Sequence, residues 1–189
     1  MKVLVGFEYS GIVAQAFRNY GHDAWSCDII TGNFPEFHIQ KDFFKVVSSG
    51  VWDLIIAHPP CTYLCKAQFG RKYEPGRAEK TKLAAELVQR IYNLNVPRLA
   101  IENPVGWLNN NWRKPDQIIY PYNFGDIHRK DICLWLKNLP PLISTCVSIK
   151  RIPVANHVNG QMSSAVKSKI KSKFFPLVAD AMAVQWGSL

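Results

Sequence analysis

Three short apolar runs, each stopped by residues that end a strand, constrain this chain most. Residues 2–7 (KVLVGF) are β-branched and end at a glycine turn. Residues 51–57 (VWDLIIA) run into Pro59-Pro60, and residues 98–102 (RLAIE) lead into Asn103-Pro104. Continuous apolar runs of this length suit strands buried on both faces. Two further strands are expected at His22–Asp28 and Asp131–Leu136. Between them lie helical patterns. Residues 11–20 follow Ser10, a plausible N-cap, and close at Gly21. Residues 77–94 carry Leu83, Leu87, Val88 and Ile91 at helical spacing, with Arg and Lys on the other face. Residues 177–186 read as a short amphipathic helix. Strands alternating with helices predict an α/β fold, with a mostly parallel sheet and helices on both faces.

A length of 189 residues predicts one domain. The 48% hydrophobic content argues against wholesale disorder. There are 23 Lys+Arg against 14 Asp+Glu, a formal charge of +9, which favours an anionic partner, nucleic acid first. No apolar run approaches the roughly 20 residues of a membrane span, and the opening MKVLVGF is too short for a signal peptide. Five cysteines without framework spacing point to a reducing cytoplasm. Cys61 and Cys65 are four apart with no matching second pair, so no metal is expected.

The chemistry gathers at the strand ends. Gly6 and Gly11 flank a strand-turn-helix in which the backbone is open to a ligand and the helix offers N–H groups. Asp28 ends the next strand, where nucleotide-binding α/β folds hold ribose. The spacing is not G-x-G-x-x-G, so a dinucleotide is not expected. Asp42 follows the short segment His38-Ile39-Gln40. The same residues also fit an ordinary turn and a strand cap. The second run delivers Cys61 on a loop stiffened by two prolines, which suits a nucleophile held in place; a buried structural cysteine is the other reading. The third run delivers Glu102, a carboxyl able to protonate or hydrogen-bond a heterocycle, or else a residue of an exposed turn.

In that order, the three strand ends resemble the DNA cytosine-5 methyltransferase family. Phe7-Glu8-Tyr9-Ser10-Gly11 is similar to its F-x-G-x-G cofactor motif, Pro60-Cys61 to its Pro-Cys motif, and Glu102-Asn103-Pro104 to its Glu-Asn-Val. Residues 175–183 (FPLVADAMA) look like its C-terminal helix. The segments HPPCTYL, AIENPV, CLWLKNLPPL and AMAVQW bring the chain nearer to short cytosine-methyltransferase-like proteins of phages and prophages.

The resemblance implies a Rossmann-like class I S-adenosylmethionine-dependent methyltransferase fold, acting on C5 of cytosine in DNA in a host cytoplasm. It implies a cofactor site of Phe7, Glu8, Tyr9, Ser10, Gly11, Asp28, Asp42 and Pro59, with Asp28 on ribose and Asp42 near adenine. It makes Cys61 the covalent nucleophile, Glu102 the partner of N3 and the exocyclic amine, and Asn103 and Pro60 the residues that set the loop. Nucleic-acid contacts are expected from Thr62, Lys66, Arg71, Lys72, Arg129 and Lys130; in loop 64–77, Lys66, Arg71, Lys72 and Arg77 would clamp phosphates while Phe69 or Tyr73 fills the gap left by the target base, a solvated surface loop being the other reading.

The chain departs from the family in three places. Thr62 stands where the family has Gln. Its Gln-x-Arg-x-Arg motif has only His128-Arg129-Lys130 as a counterpart by position. About 44 residues separate Lys130 from Phe175, where the family usually has a large target-recognition domain; here a basic segment at about 137–173 takes that place within the single domain. Three other readings stay open: methylation of a free pyrimidine nucleotide, amino-methylation of adenine N6 or cytosine N4, and a non-catalytic nucleic-acid-binding module. Oligomeric state is not legible.

Overall fold

The computed structural model describes residues 1–66, 74–126, 130–146 and 174–189. Arg71, Lys72, Arg129, Phe69, Tyr73 and the basic stretch 150–173 lie outside them. The described residues form a seven-stranded sheet. Its strands are β1 (Lys2–Gly6), β2 (Asp23–Asp28), β3 (His38–Gln40), β4 (Leu54–Ala57), β5 (Leu99–Pro104), β6 (Gln117–Ile119) and β7 (Ile132–Lys137), in the spatial order β3-β2-β1-β4-β5-β7-β6. β1 to β5 pair in parallel, whereas β7 runs antiparallel to both β5 and β6. The expected α/β, Rossmann-like sheet is therefore present, with one strand reversed.

Among the described residues five α-helices cover the sheet: α1 (Ile12–Asn19), α2 (Phe43–Ser48), α3 (Arg77–Tyr92), α4 (Trp107–Asn111) and α5 (Pro176–Gly187). The strand alternation sorts the core into two layers. Val3, Val5, Leu54, Ile56 and Leu134 face α1 and α5, against Phe17, Met182 and Trp186. Leu4, Ile55, Ile101 and Trp135 face α2, α3 and α4, against Val46, Val88 and Leu108. All fifteen of these side chains are at most 3% exposed, and full burial stabilises a large apolar side chain by about 1.5–3 kcal/mol.

Several expectations need correction. Val51 is 82% exposed, so the second run forms a strand only over Leu54–Ala57. Leu83 is 56% exposed, and Ala85, Val88 and Ile91 make the buried face of α3 instead. α5 is not amphipathic: six of its residues are buried, and Leu177 and Val184 on its outer side are apolar too. Ser10 is not the N-cap of α1; that place falls to Gly11, at φ 68°.

The connections decide where a ligand can sit. From β1 the chain moves outward to β2 and β3, then returns on the other side of β1 to form β4 and β5. In open α/β sheets such a reversal leaves a crevice beyond the carboxyl ends of the central strands. The ends of β1, β4 and β5 carry Phe7, His58 and Glu102.

Candidate active site

The turn after β1 is strained and closed by a carboxylate. Phe7 has φ 59°, a left-handed conformation uncommon for a non-glycine residue. Its ring rests 4.8 Å from that of Phe43. Glu8 turns inward and is 4% exposed. Its Oε1 accepts from the Val13 N–H at 2.7 Å and from the Ser10 hydroxyl at 3.3 Å, and its Oε2 accepts from the Ala14 N–H at 3.3 Å. The first-turn N–H groups of α1, expected to be open to a ligand, are thus bound internally. Burial pushes the Glu8 carboxyl above its ordinary value; nearby His58 and the α1 N–H groups oppose the rise.

Two carboxylates end the neighbouring strands. Asp28 closes β2, and its Oδ1 accepts from the Ile30 N–H at 3.3 Å. Asp42 follows β3 and caps α2, accepting from the Lys45 N–H at 3.1 Å. The loop between them leaves Ile29, Ile30 and Phe34 exposed, and its Asn33 N–H donates to the Tyr9 carbonyl at 2.9 Å. This apolar loop beside Asp28 was missed in the sequence. Its signal was the Ile29-Ile30 pair directly after a strand-end acid.

β4 and β5 build the other half. Their register places Ala57 opposite Ile101, so the next residues, His58 and Glu102, are neighbours. The His58 Nδ1–H donates to Glu102 Oε2 at 3.2 Å, and the two side chains are only 11% and 10% exposed. Lys130 Nζ lies 4.0 Å from Glu102 Oε1. Burial alone would raise the Glu102 carboxyl, but the hydrogen bond from His58 and the Lys130 ammonium hold it below its ordinary value. The His58 ring packs 4.8 Å from Phe174, just ahead of α5. His58 is the residue that sequence reasoning did not assign.

Asn103 is 1% exposed and its Nδ2 donates to the Pro59 carbonyl at 2.8 Å, which ties the proline loop to β5. Pro59 is buried, Pro60 and Thr62 are exposed, and Cys61 is half-buried. After Cys61 the chain turns tightly. The Leu64 and Cys65 N–H groups both donate to the Cys61 carbonyl, at 2.9 and 3.0 Å. Cys65 then bridges to Gly106, and the Trp107 N–H donates to the Leu64 carbonyl at 2.6 Å. Glycine is required at 106 by this approach, because an added Cβ would overlap the Leu64 carbonyl oxygen.

Burial pushes the Cys61 thiol above its ordinary value, helped by Cys65 and by negative Glu102, while Lys130 works in the opposite direction. All five cysteines are free. Three buried polar atoms around this corner have no hydrogen-bond partner among the described residues: His58 Nε2, Glu102 Oε1 and Asn103 Oδ1. A buried unsatisfied polar atom costs about 1–3 kcal/mol, so three at one corner call for an explanation such as a catalytic role or a bound water or ion. Among the described residues no group of three His, Cys, Asp or Glu is arranged to hold a metal ion, and no helix is long and apolar enough to cross a membrane.

The turn Phe7 to Gly11 thus follows β1, which lies next to β4; β4 leads into Pro59, Pro60 and Cys61, and Glu102 and Asn103 lie near the end of β5 beside it. Glu8 and Ser10 are buried in the β1 turn, and Asp28 and Asp42 follow β2 and β3. Lys130 reaches Glu102, while Lys66 is exposed just past the Cys61 turn. No protein-family model matches the chain, and no curated protein does. Among solved structures it is similar to the rRNA methylase from Escherichia coli, at 18% identity and a TM-score of 0.41, over 72% of this chain and 56% of that one. The chain thus spans little more than half of that protein's length, a likeness too distant to bear on its chemistry.

Proposed function

We propose that this protein is an S-adenosylmethionine-dependent methyltransferase that modifies C5 of cytosine in DNA through a covalent adduct at Cys61. The observation that carries the reading is the corner of β4 and β5. There a half-buried thiol, a buried carboxylate hydrogen-bonded to His58 and, among the described residues, three unpartnered polar atoms lie at the carboxyl edge of a parallel sheet.

The cofactor half fits a ligand without phosphate. The N–H groups of α1 that bind a pyrophosphate in dinucleotide folds are taken by Glu8 here. What remains is an acid for sugar hydroxyls, Asp28, and an apolar loop with exposed Ile29 for a base. Phe7, Gly11, Asp28 and Ile29 would hold S-adenosylmethionine, which supplies an electrophilic methyl group.

The chain's own residues supply the rest. Cytosine C5 is a weak nucleophile until the ring loses aromaticity. Bond formation between the Cys61 thiolate and C6 pushes the C5–C6 π pair into an enamine, nucleophilic at C5. The Glu102 carboxylate accepts from the exocyclic amine and relays to N3 the proton that the Cys61 thiol gives up, which stabilises the charge that develops on attack. Asn103 fixes the Pro59 carbonyl and with it the loop that aims Cys61. Once the methyl group is bonded to C5, removal of the C5 proton by a base returns an electron pair to the ring, which expels the thiolate, and N3 gives up its proton. The raised Cys61 pKa is compatible with this role: fewer thiolates form at neutral pH, but each is more nucleophilic.

A DNA oligonucleotide carrying 5-fluorocytosine tests the adduct. With C5 blocked by fluorine no proton can leave, so the reading expects a denaturation-resistant protein–DNA species with the cross-linked peptide at Cys61. No such species, alongside methylation of unmodified cytosine, excludes the covalent route.

A further inference from the structure

Beside the Cys61 turn the surface opens into a groove of about 520 Å3. One wall is Tyr63, two residues past Cys61, and another is Trp107, five residues past Glu102. The floor is the first turns of α3, with Arg77, Ala78, Thr81 and Ala85. Both rings are set by the loops that carry the proposed chemistry. The Trp107 N–H to Leu64 carbonyl bond and the Cys65–Gly106 bridge lock the two loops together. The Thr81 hydroxyl donates to the Tyr63 carbonyl at 3.3 Å, joining the groove floor to the same turn.

The charges lining the groove are Arg77, Lys82 and Glu86; Arg77 and neighbouring Lys80 are paired with Glu74 at 3.4 and 2.8 Å, and Lys82 lies 4.0 Å from Glu86. The Arg77 guanidinium and the Lys80 ammonium lie over the Tyr63 ring, 5.6 and 5.4 Å from its centroid. The Arg77 side chain is 11% exposed, and its Nη2 is buried with no hydrogen-bond partner among the described residues. Two aromatic rings, a buried guanidinium with an unspent donor and an apolar floor make a surface for a flat, acceptor-rich ring next to an anion. A nucleobase with its phosphate has that chemistry.

We infer that this groove binds a nucleotide flanking the target, so that the substrate is a polynucleotide rather than a free nucleotide. The inference rests on the proposed function for the identity of the neighbouring site. It does not need that function for the binding itself. The base lies against Tyr63 or Trp107, and its phosphate accepts from Arg77. The groove would supply part of the grip that a separate recognition domain gives elsewhere. Because stacking tolerates any base, it grips without fixing sequence.

Anisotropy of a labelled single-stranded 12-mer containing one cytosine tests this. Two variants are used. Trp107→Leu removes a stacking ring. Ala78→Glu puts bulk and negative charge into the groove from an exposed position in the first turn of α3, where an acidic residue suits the helix. The inference expects each to weaken oligonucleotide binding about ten-fold, while calorimetric affinity for S-adenosylmethionine stays within two-fold of wild type. Should Trp107→Leu fail to fold, Ala78→Glu decides alone. Oligonucleotide affinity within two-fold of wild type for Ala78→Glu overturns the inference. Wild type that binds the oligonucleotide through the groove but takes up no S-adenosylmethionine leaves the inference standing and removes the proposed function instead.

Discussion

His58 and Glu102 are 44 residues apart in sequence yet form a buried hydrogen-bonded pair at 3.2 Å, made by the parallel register of β4 against β5. Removing the imidazole strands a carboxylate that keeps only Lys130, at 4.0 Å. Breaking such a buried pair costs about 3–5 kcal/mol, and partial solvent access puts this one at the lower end. His58→Ala is therefore expected to lose about 3 kcal/mol in urea unfolding at pH 7. The Glu102 carboxyl is held below its ordinary value in the folded state, so its contribution is present above the unfolded-state pKa and fades as pH falls through the folded one. The deficit of His58→Ala should accordingly shrink towards pH 4. A deficit that does not change between pH 7 and pH 4 contradicts the pairing.

Glu8 carries the opposite sign. Burial raises its folded pKa, so the carboxyl is best tolerated protonated, and stability falls as pH climbs from the unfolded-state value to the folded one. Glu8→Gln removes that dependence while keeping a side-chain oxygen for the α1 N–H groups. The melting temperature of the variant relative to wild type should thus be higher at pH 8 than at pH 4. The reverse trend in paired thermal melts shows that Glu8 is stabilised as an anion.

The thiol of Cys61 should titrate above the ordinary cysteine value of about 8.5. Glu102→Gln removes a negative neighbour and is expected to lower the midpoint of the pH–rate curve for iodoacetamide alkylation at this residue. Lys130→Met is expected to raise it. Peptide-level mass spectrometry separates Cys61 from the four other free thiols. Identical midpoints in both variants place Cys61 away from Glu102 and Lys130.

Gly106 makes a structural prediction about the same corner. Gly106→Ala forces the Leu64 carbonyl away and strains the link between the Cys61 turn and the turn after β5. A loss of about 1–3 kcal/mol is expected from overpacking, with a changed Cys61 alkylation rate. Wild-type stability and reactivity together would mean that the two loops are not coupled.

The strand ends were legible because the runs at 3–6, 54–57 and 99–101 are buried on both faces and carry no polar interruption. Direction was not: nothing in residues 132–137 marks a strand paired antiparallel to β5, since a buried strand has the same composition either way. The N-cap of α1 was misplaced because the Glu8 carboxylate reaches forward to Val13 and Ala14 and displaces Ser10, a competition decided by burial. Leu83 fitted the apolar stripe of α3 by spacing, yet it is 56% exposed, while Ala85, Val88 and Ile91 are buried and Leu87 packs beside them. Cys61, Glu102 and Asn103 stood out through their prolines and strand ends. His58 did not, because its meaning depends on a register between distant segments.

The account turns on what happens to cytosine. DNA incubated with the protein and S-adenosylmethionine, digested to nucleosides and read by mass spectrometry, is predicted to contain 5-methyldeoxycytidine with wild type and none with Cys61→Ser, which should still bind the cofactor. Methyl groups on adenine N6 or cytosine N4, or undiminished 5-methyldeoxycytidine with Cys61→Ser, would contradict it.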